Sequence, residues 1–483
     1  MSGLGADQFE ALVLAARASG DAVGYRAALA LRPGHKAASL PLAELLLARG
    51  DAAGAAMVLA PMLQQHPDSI RGWALMGAAC MALGNLAGAE AAYGQVLRFK
   101  PDEAVAFNGL GAIRQAQDRA DEAIGFYRQA LAVRPAAPEI LKNLAFALAN
   151  AGLLEEAEAR FTELEGIAPD FAEARMDHGI FRLSLGDYAR GWDLYDARWA
   201  SGVYSETDAG QGLPRWNGEA LNGRRLLLWG EQGIGDQILH ATMLRDAIRL
   251  ANGAVTIAVT DRLVPLLARS LADTGAQVVV RGQAVAADLQ CPFASLGGLV
   301  RRQAGSFNDG IYLRPDPAQV AAFRARHAGM AGGRKLYGLS WRSGNPQLGD
   351  AKSIPLTQLA PLFAIPDIAW LSVQYGDVGA EIAASGLPLQ IESVDGLSDI
   401  DAQAAQFAAL DGVVSVSNTG VHLAASIGLR CHVLLPRGRG RFWYWPRPGR
   451  SCDWYAAPRF WYQQQDGDWS GSIAALAREL SND

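Results

Sequence analysis

Four segments in the second half of the chain hold residue types suited to an anionic substrate. In GEQGIGDQILHA (230–241) an apolar run ends at Trp229, glycines turn the chain, and helical spacing starts near Asp236. Gly233 and Gly235 would let backbone N–H groups approach a ligand, and a new helix N-terminus favours an anion. The third glycine of a dinucleotide fingerprint is replaced by Ile238, and no Walker sequence occurs, so a nicotinamide dehydrogenase does not fit. On this segment alone the plainer reading of Asp236 is a helix N-cap. In SVSNTGVHLAASIG (415–428) a strand runs into Asn418, Thr419 and Gly420 and then a short helix, a seat for a diphosphate. Ordinary capping accounts for the same residues equally well, and His422 alone is more often structural than a base. In WRSGNPQLGDAKSIPL (341–356), Arg342 and Ser343 follow a strand end and Lys352 precedes a helix-like segment near Thr357. Either cation suits a leaving phosphate, or else a solvated surface. Gln374 closes the strand-like IAWLSVQ (368–374).

The fourth segment, 412–452, contains no acid but carries Arg430, Arg437, Arg439, Arg441, Arg447 and Arg450. Interleaved or following are Phe442, Trp443, Tyr444, Trp445, Trp454, Tyr455, Trp461, Tyr462 and Trp469. Guanidinium groups suit phosphate oxygens and aromatic faces suit bases or sugar rings, with Trp443, Trp445 and Trp454 as stacking candidates. The alternative is a packed or solvated loop.

These segments need a scaffold of short buried strands. RLLLWG (225–230), AVTIAV (254–259), AQVVV (276–280) and ADLQCPF (287–293) alternate with helical patterns, DQILHATMLRDAIRLA and LVPLLARSLADT among them. After the Pro- and Ala-rich RPDPAQVAAFRARHAGMAGG comes a second set: KLYGLSW (335–341), IAWLSVQ, LPLQIE (387–392), GVVSVS (412–417) and CHVLLP (431–436). The pattern predicts two Rossmann-like α/β halves with parallel sheets, 225–330 and 331–483. The Gly- and Ser-rich stretch 201–224 reads as a linker.

Residues 1–200 read differently. Pro33, Pro67, Pro101, Pro135 and Pro169 recur every 34 residues. Trp73, Gly77, Gly84, Ala89 and Tyr93 find counterparts at Phe107, Gly111, Ala123 and Tyr127, and again at Leu141, Ala145, Gly152, Ala157 and Phe161. Each unit predicts two amphipathic helices, small residues allowing their close approach and aromatic ones filling the seams. The pattern resembles tetratricopeptide repeats, four full units over about 36–171 with degenerate ends, which implies an α solenoid with a groove of the kind that usually holds a peptide or protein. A purely structural or dimerising solenoid is the other reading, and Asn108 and Asn143 alone do not make a binding ladder.

Composition sets the outer bounds. A chain of 483 residues, 50% hydrophobic and 19% charged, is not mainly disordered. A net charge of −6 argues against nucleic acid as partner. The first 200 residues carry 24 acids and 18 bases, the remainder 25 of each. Cys80, Cys291, Cys431 and Cys452 show neither disulfide-framework nor zinc-knuckle spacing. The start lacks signal-peptide character and no long uncharged apolar run appears, so a cytoplasmic protein without an integral membrane segment is expected.

Taken in order, the repeats, PRW (214–216), the EQGIGD turn, WRSGNP…SIPL, NTGVHLA and the tryptophan-rich end resemble bacterial repeat-containing glycosyltransferases. Their catalytic half is similar to the heptosyltransferases of glycosyltransferase family 9, with the GT-B fold. The resemblance implies an inverting, metal-independent transfer of sugar from a sugar nucleotide to a hydroxyl or amide, with no cofactor beyond that substrate. It implies Asp236 as general base on the acceptor, Arg342 or Lys352 as the cation at the donor phosphates, and Asn418, Thr419 and His422 as donor contacts. Ser417 stands where these relatives commonly have aspartate. The repeats imply a macromolecular acceptor, a docked protein such as flagellin by analogy. A non-catalytic scaffold with a degenerate transferase domain, and an enzyme of cell-surface glycan assembly, are the alternatives.

Overall fold

The computed structural model describes residues 4–202, 212–346, 348–392, 394–438, 440–465 and 467–482, so Arg439 and much of the predicted linker lie outside them. The chain forms two compact units, 1–170 and 171–483.

In the first unit the 34-residue period becomes helical pairs. The leading helices Lys36–Ala48, Ile70–Ala82, Ala104–Ala116 and Pro138–Ala151 start 34 residues apart, as do their partners Ala52–Gln65, Leu86–Phe99, Ala120–Val133 and Leu154–Ile167. Leu4–Ser19 and Ala22–Leu31 precede them. Within each pair a left-handed residue turns the chain: Gly50, Gly84 and Gly152 take this conformation freely, and Asp118 (φ 58°) adopts it at the same phase. The small positions work as expected, since a Cβ on Gly77 would lie 2.7 Å from the Tyr93 ring and one on Gly111 2.6 Å from Tyr127. Asn143 donates its amide to Asn108 Oδ1 (3.0 Å), so the two asparagines bind each other.

The second unit opens with one more pair in phase, Ala172–Ser184 and Tyr188–Tyr195, closed by a 3₁₀ turn Asp196–Trp199. Trp192 of this pair donates to the Arg301 carbonyl (3.0 Å) and packs so tightly on Gly297 that a Cβ there would come within 2.2 Å of the indole. Gly297→Ala should therefore destabilise this unit by about 1–3 kcal/mol through overpacking; an unchanged urea midpoint would contradict that packing.

Every predicted strand is present. β1 (Leu226–Trp229), β2 (Val255–Val259), β3 (Gln277–Val280) and β4 (Leu289–Pro292) form a parallel sheet of order β3-β2-β1-β4. β5 (Lys335–Ser340), β6 (Ile368–Ser372), β7 (Leu389–Ile391), β8 (Gly412–Val416), β9 (Cys431–Leu435) and β10 (Pro458–Tyr462) form a second of order β10-β9-β8-β5-β6-β7. All pairings between these strands are parallel, with Leu226 opposite both Val255 and Leu289 and Tyr337 opposite both Trp370 and Gly412. Central strands are covered on both faces, which explains their unbroken apolar runs.

Three expectations need correction. The aromatic tail contains β10, whose Phe460 and Tyr462 pack to one core cluster and Trp461 to the other, the two-residue alternation of a strand. The helical run after Asp236 is two helices, Ile234–Ala241 and Leu244–Ala251; Thr242 Oγ1 bonds the Leu239 carbonyl (2.7 Å) at the break. The Pro- and Ala-rich separator is a 15-residue helix, Pro317–Ala331, with proline at its first position and Asp316 accepting from Ala318 and Gln319 N–H.

Candidate active site

Two helix N-termini meet where the parallel strands end. The helix Ile234–Ala241 follows β1, and the helix Thr419–Ser426 follows β8. Gly235 lets them touch: a Cβ at that position would lie 3.2 Å from His422 Cδ2 and 3.4 Å from Thr419 Oγ1. This close approach is what Gly235 supplies. The Gly233 N–H is taken up, donating to Asp236 Oδ2 (3.2 Å).

Asp236 therefore caps its own helix, as the segment alone suggested, and also stands at the junction. Desolvation pushes its carboxyl up from near 3.8 to about 6, the Gly233 N–H opposing; the nearby Glu231 charge pushes the same way as burial, and Lys352 pulls against it. Lys352, at the end of the short helix Gly349–Lys352, is 3% exposed, and its ammonium lies 4.4 Å over the Phe442 ring. Burial lowers it to about 8, with Asp236 opposing. The structure thus separates the two candidate cations. Lys352 is buried within electrostatic reach of Asp236, whereas Arg342 is half-exposed and pairs with Glu381 (3.2 Å).

Around Arg342 the ends of β5, β6 and β8 are stitched together. Gln374 Oε1 accepts from Ser340 Oγ (2.9 Å), Trp341 N–H (2.9 Å) and Arg342 N–H (2.8 Å), and its buried Nε2 has no partner among the described residues. Asn418 Nδ2 donates to Ser340 Oγ (2.8 Å) and the Arg342 carbonyl (3.2 Å), while its Oδ1 accepts the Gly420 N–H (3.0 Å). Ser343 N–H donates to Ser353 Oγ (3.0 Å). The Asn418 side chain and the Gly420 N–H are therefore engaged as a brace at the strand ends, while the Ser343 N–H is engaged within its own loop.

His422 is 2% exposed, its Nδ1 3.1 Å from the Tyr455 hydroxyl and its ring stacked on Trp445. Burial, then Lys352, lowers it to about 3, so it is neutral at ordinary pH. Trp445 and Trp454 are 1% and 2% exposed. Their faces are covered by protein, which corrects their assignment as sugar-stacking platforms; Trp443 is half-buried and remains partly accessible. Ser417, buried, accepts the Trp445 indole N–H (2.8 Å). Ser417→Ala would strand that donor in the core and should cost about 1–3 kcal/mol; a melting temperature equal to wild type would count against the contact.

Sequence reasoning missed the pair that anchors the glycine turn. Arg198, fully buried, holds Glu231 through Nε (3.1 Å) and Nη2 (2.9 Å), and reaches Ser295 Oγ (2.7 Å) and Asp196 (2.5 Å). Its guanidinium stacks against Tyr195 and Trp199, and Glu231 also accepts the Ala294 N–H (3.0 Å). The one signal available was an acid directly after a buried strand, with no sequence clue to its partner. Among the described residues there is no group of three His, Cys, Asp or Glu arranged to hold a metal, and no helix is long and apolar enough to cross a membrane.

These features define a tetratricopeptide-repeat chain joined to an α/β unit of two parallel sheets that meet at paired helix N-termini. The tetratricopeptide-repeat family profile matches residues 24–78, 46–112 and 115–177. The chain is similar to Protein FlbA of Caulobacter vibrioides, 29% identical over 390 residues, covering 74% of this chain and 64% of the relative's length. Among solved structures it resembles a thermophilic tetratricopeptide-repeat protein of Thermus thermophilus (24% identity, 36% of this chain and 96% of that one, TM-score 0.32). A tetratricopeptide-repeat protein from Parabacteroides merdae is another (16% identity, 41% and 80%, TM-score 0.37).

Proposed function

We propose that the α/β unit is a GT-B-like glycosyltransferase acting on a protein acceptor held by the repeats. The observation that carries this reading is the junction itself. A carboxyl tuned to about 6 and a buried lysine stand together where two helix N-termini converge at the ends of parallel strands. Asp236 takes the proton of the acceptor hydroxyl as its oxygen bonds to the anomeric carbon of the sugar. The bond from that carbon to the nucleotide phosphate breaks, and Lys352, with the helix that starts at Thr419, stabilises the departing phosphate. The ordered motifs support the reading, and flagellin is an acceptor to try first.

The direct test is a transfer assay with UDP-, GDP- and CMP-linked sugars, reading the mass of candidate acceptor proteins. Truncation should remove residues 1–170 only, because Arg198 must stay with Glu231. Loss of protein modification with retained donor hydrolysis fits docking on the repeats; unchanged transfer refutes it. A non-catalytic scaffold is the second reading. It is favoured by Ser417, which lacks the relatives' acid and is engaged by Trp445, and it predicts partner capture without any turnover.

A further inference from the structure

The last helical pair and the segments flanking β4 line a cavity of about 270 Å³ within the α/β unit. That is close to the roughly 300 Å³ at which small-molecule sites begin. Its base is apolar: Trp192, Trp216 and Cys291 are at most 3% exposed, and the half-buried Leu299 also lines it. Its mouth is polar, with Asp193, Asp196, Asn217 and Arg302 exposed and Arg215 half-buried. The charges there come in two pairs. Arg302 holds Asp193 with two bonds (2.7 and 3.0 Å), and Arg215 Nη2 donates to Asp196 Oδ2 (3.1 Å). Asp196 also accepts from Arg198 Nη1 (2.5 Å) and Ser295 Oγ (2.6 Å).

Both pairs keep hydrogen-bonding capacity after these bonds are counted. An ionised carboxylate has about four acceptor sites, and a guanidinium has several N–H donors. Asp193 has two of its sites filled and Asp196 three, while Arg215 uses one N–H on Asp196. The Asn217 carboxamide has no partner among the described residues; only the backbone N–H of Asn217 is engaged, by Glu219. A phosphate or carboxylate would meet two carboxylates at this mouth, an ammonium two guanidinium groups, and a zwitterion two pairs already closed. A hydroxyl meets no such conflict, since it donates to a remaining carboxylate lone pair and accepts from a guanidinium or carboxamide N–H. We infer that this cavity is a binding site for a neutral sugar residue, its hydroxyls on Asp193, Asp196, Arg215 and Asn217 and its C–H face toward Leu299 and the apolar base. The cavity shares no residue with the Asp236–Lys352 junction, and the inference does not depend on the transferase reading.

The test is saturation-transfer NMR on the full chain with the methyl glycosides of glucose, galactose, mannose and N-acetylglucosamine, beside glucuronate and glucosamine as charged counterparts. At least one neutral glycoside should bind. Both charged sugars should bind more weakly than it, by about threefold or more, because neither charge finds an unpaired partner. Asn217→Ala removes an exposed carboxamide, so it should leave the melting temperature alone and weaken the glycoside about two- to tenfold, the scale of one hydrogen bond. Gly298→Leu fills the cavity, and a Cβ there would meet only Trp192 Cβ, at 3.7 Å, so the new side chain starts without a clash. It should abolish binding at an unchanged melting temperature, and Asp236→Asn should leave binding intact. No transfer to any of the neutral glycosides, equal or tighter binding of a charged sugar, or binding that survives both Asn217→Ala and Gly298→Leu would each overturn the assignment. Loss in Asp236→Asn alone would overturn it too, by placing the sugar at the junction instead.

Discussion

Asp236→Asn should lower turnover by about two to four orders of magnitude while leaving nucleotide affinity within about twofold. Asparagine keeps the oxygen that accepts the Gly233 N–H, so the helix cap survives, but it cannot take a proton from an acceptor hydroxyl. The pH dependence tests the same group independently. A base must be ionised, so in wild type kcat/KM should rise with pH through about 6, the value to which burial first, and then Glu231, push this carboxyl. Stability moves in the opposite sense. A carboxyl whose value is raised on folding is cheapest to bury when protonated, so its penalty is absent below about 3.8, grows up to about 6 and is constant above. The variant should therefore match wild type in melting temperature near pH 4 and exceed it at pH 7–8. Full turnover in the variant would remove Asp236 from the chemistry. A variant less stable at pH 8 would instead make the cap its whole purpose.

The repeats were legible because a solenoid writes its contacts at a fixed period. Pro67, Gly84 and Tyr93 recur in phase since each helical pair meets its neighbour in the same way. The strands were legible for a related reason: a run such as Leu226–Trp229, buried on both faces, has no polar alternation to obscure it. What could not be read was whatever depends on the partner across the fold. Gly235 looks like a phosphate-loop glycine, yet its size matters because His422, 187 positions later, lies against it. Trp445 and Trp454 look like stacking surfaces, but only the packing of the loop decides that their faces are buried. Asn418 was located correctly as a cap; that its amide also ties β8 to β5 through Ser340 follows from sheet order, which short strands do not reveal. β10 was hidden because Pro458–Tyr462 is an edge strand with Arg459 exposed, too short and too aromatic to separate from the loop before it.

Glu231→Ala should destabilise the second unit by about 3–5 kcal/mol, the largest stability effect expected of a single substitution here. The reason is the state of what remains. Arg198 is fully buried, and without Glu231 its charge would be left with Asp196, Ser295 and the Tyr195 and Trp199 rings. The Ala294 N–H would also lose its acceptor. Intrinsic worth and cost of breakage are different quantities for such a pair, because bringing both ions out of water cancels much of their attraction. The double variant Arg198→Met with Glu231→Leu should thus recover most of the loss, and urea midpoints of the two singles and the double measure the coupling. A loss under about 1 kcal/mol in Glu231→Ala would mean that water reaches Arg198 and the pair is not the anchor. The pair also bears on chemistry. Glu231 lies two residues beyond β1, in the turn leading to Asp236, and its charge helps to hold that carboxyl high. In Glu231→Gln, which keeps the shape, the acid-side inflection of kcat/KM should move below about 6, because one repelling charge is gone. A purely structural pair would lower the melting temperature and leave that inflection in place. Arg198 lies directly after the last helical pair, so such a shift would make residues 171–199 part of the machinery that sets the base, which repeats serving only as a docking arm would not do.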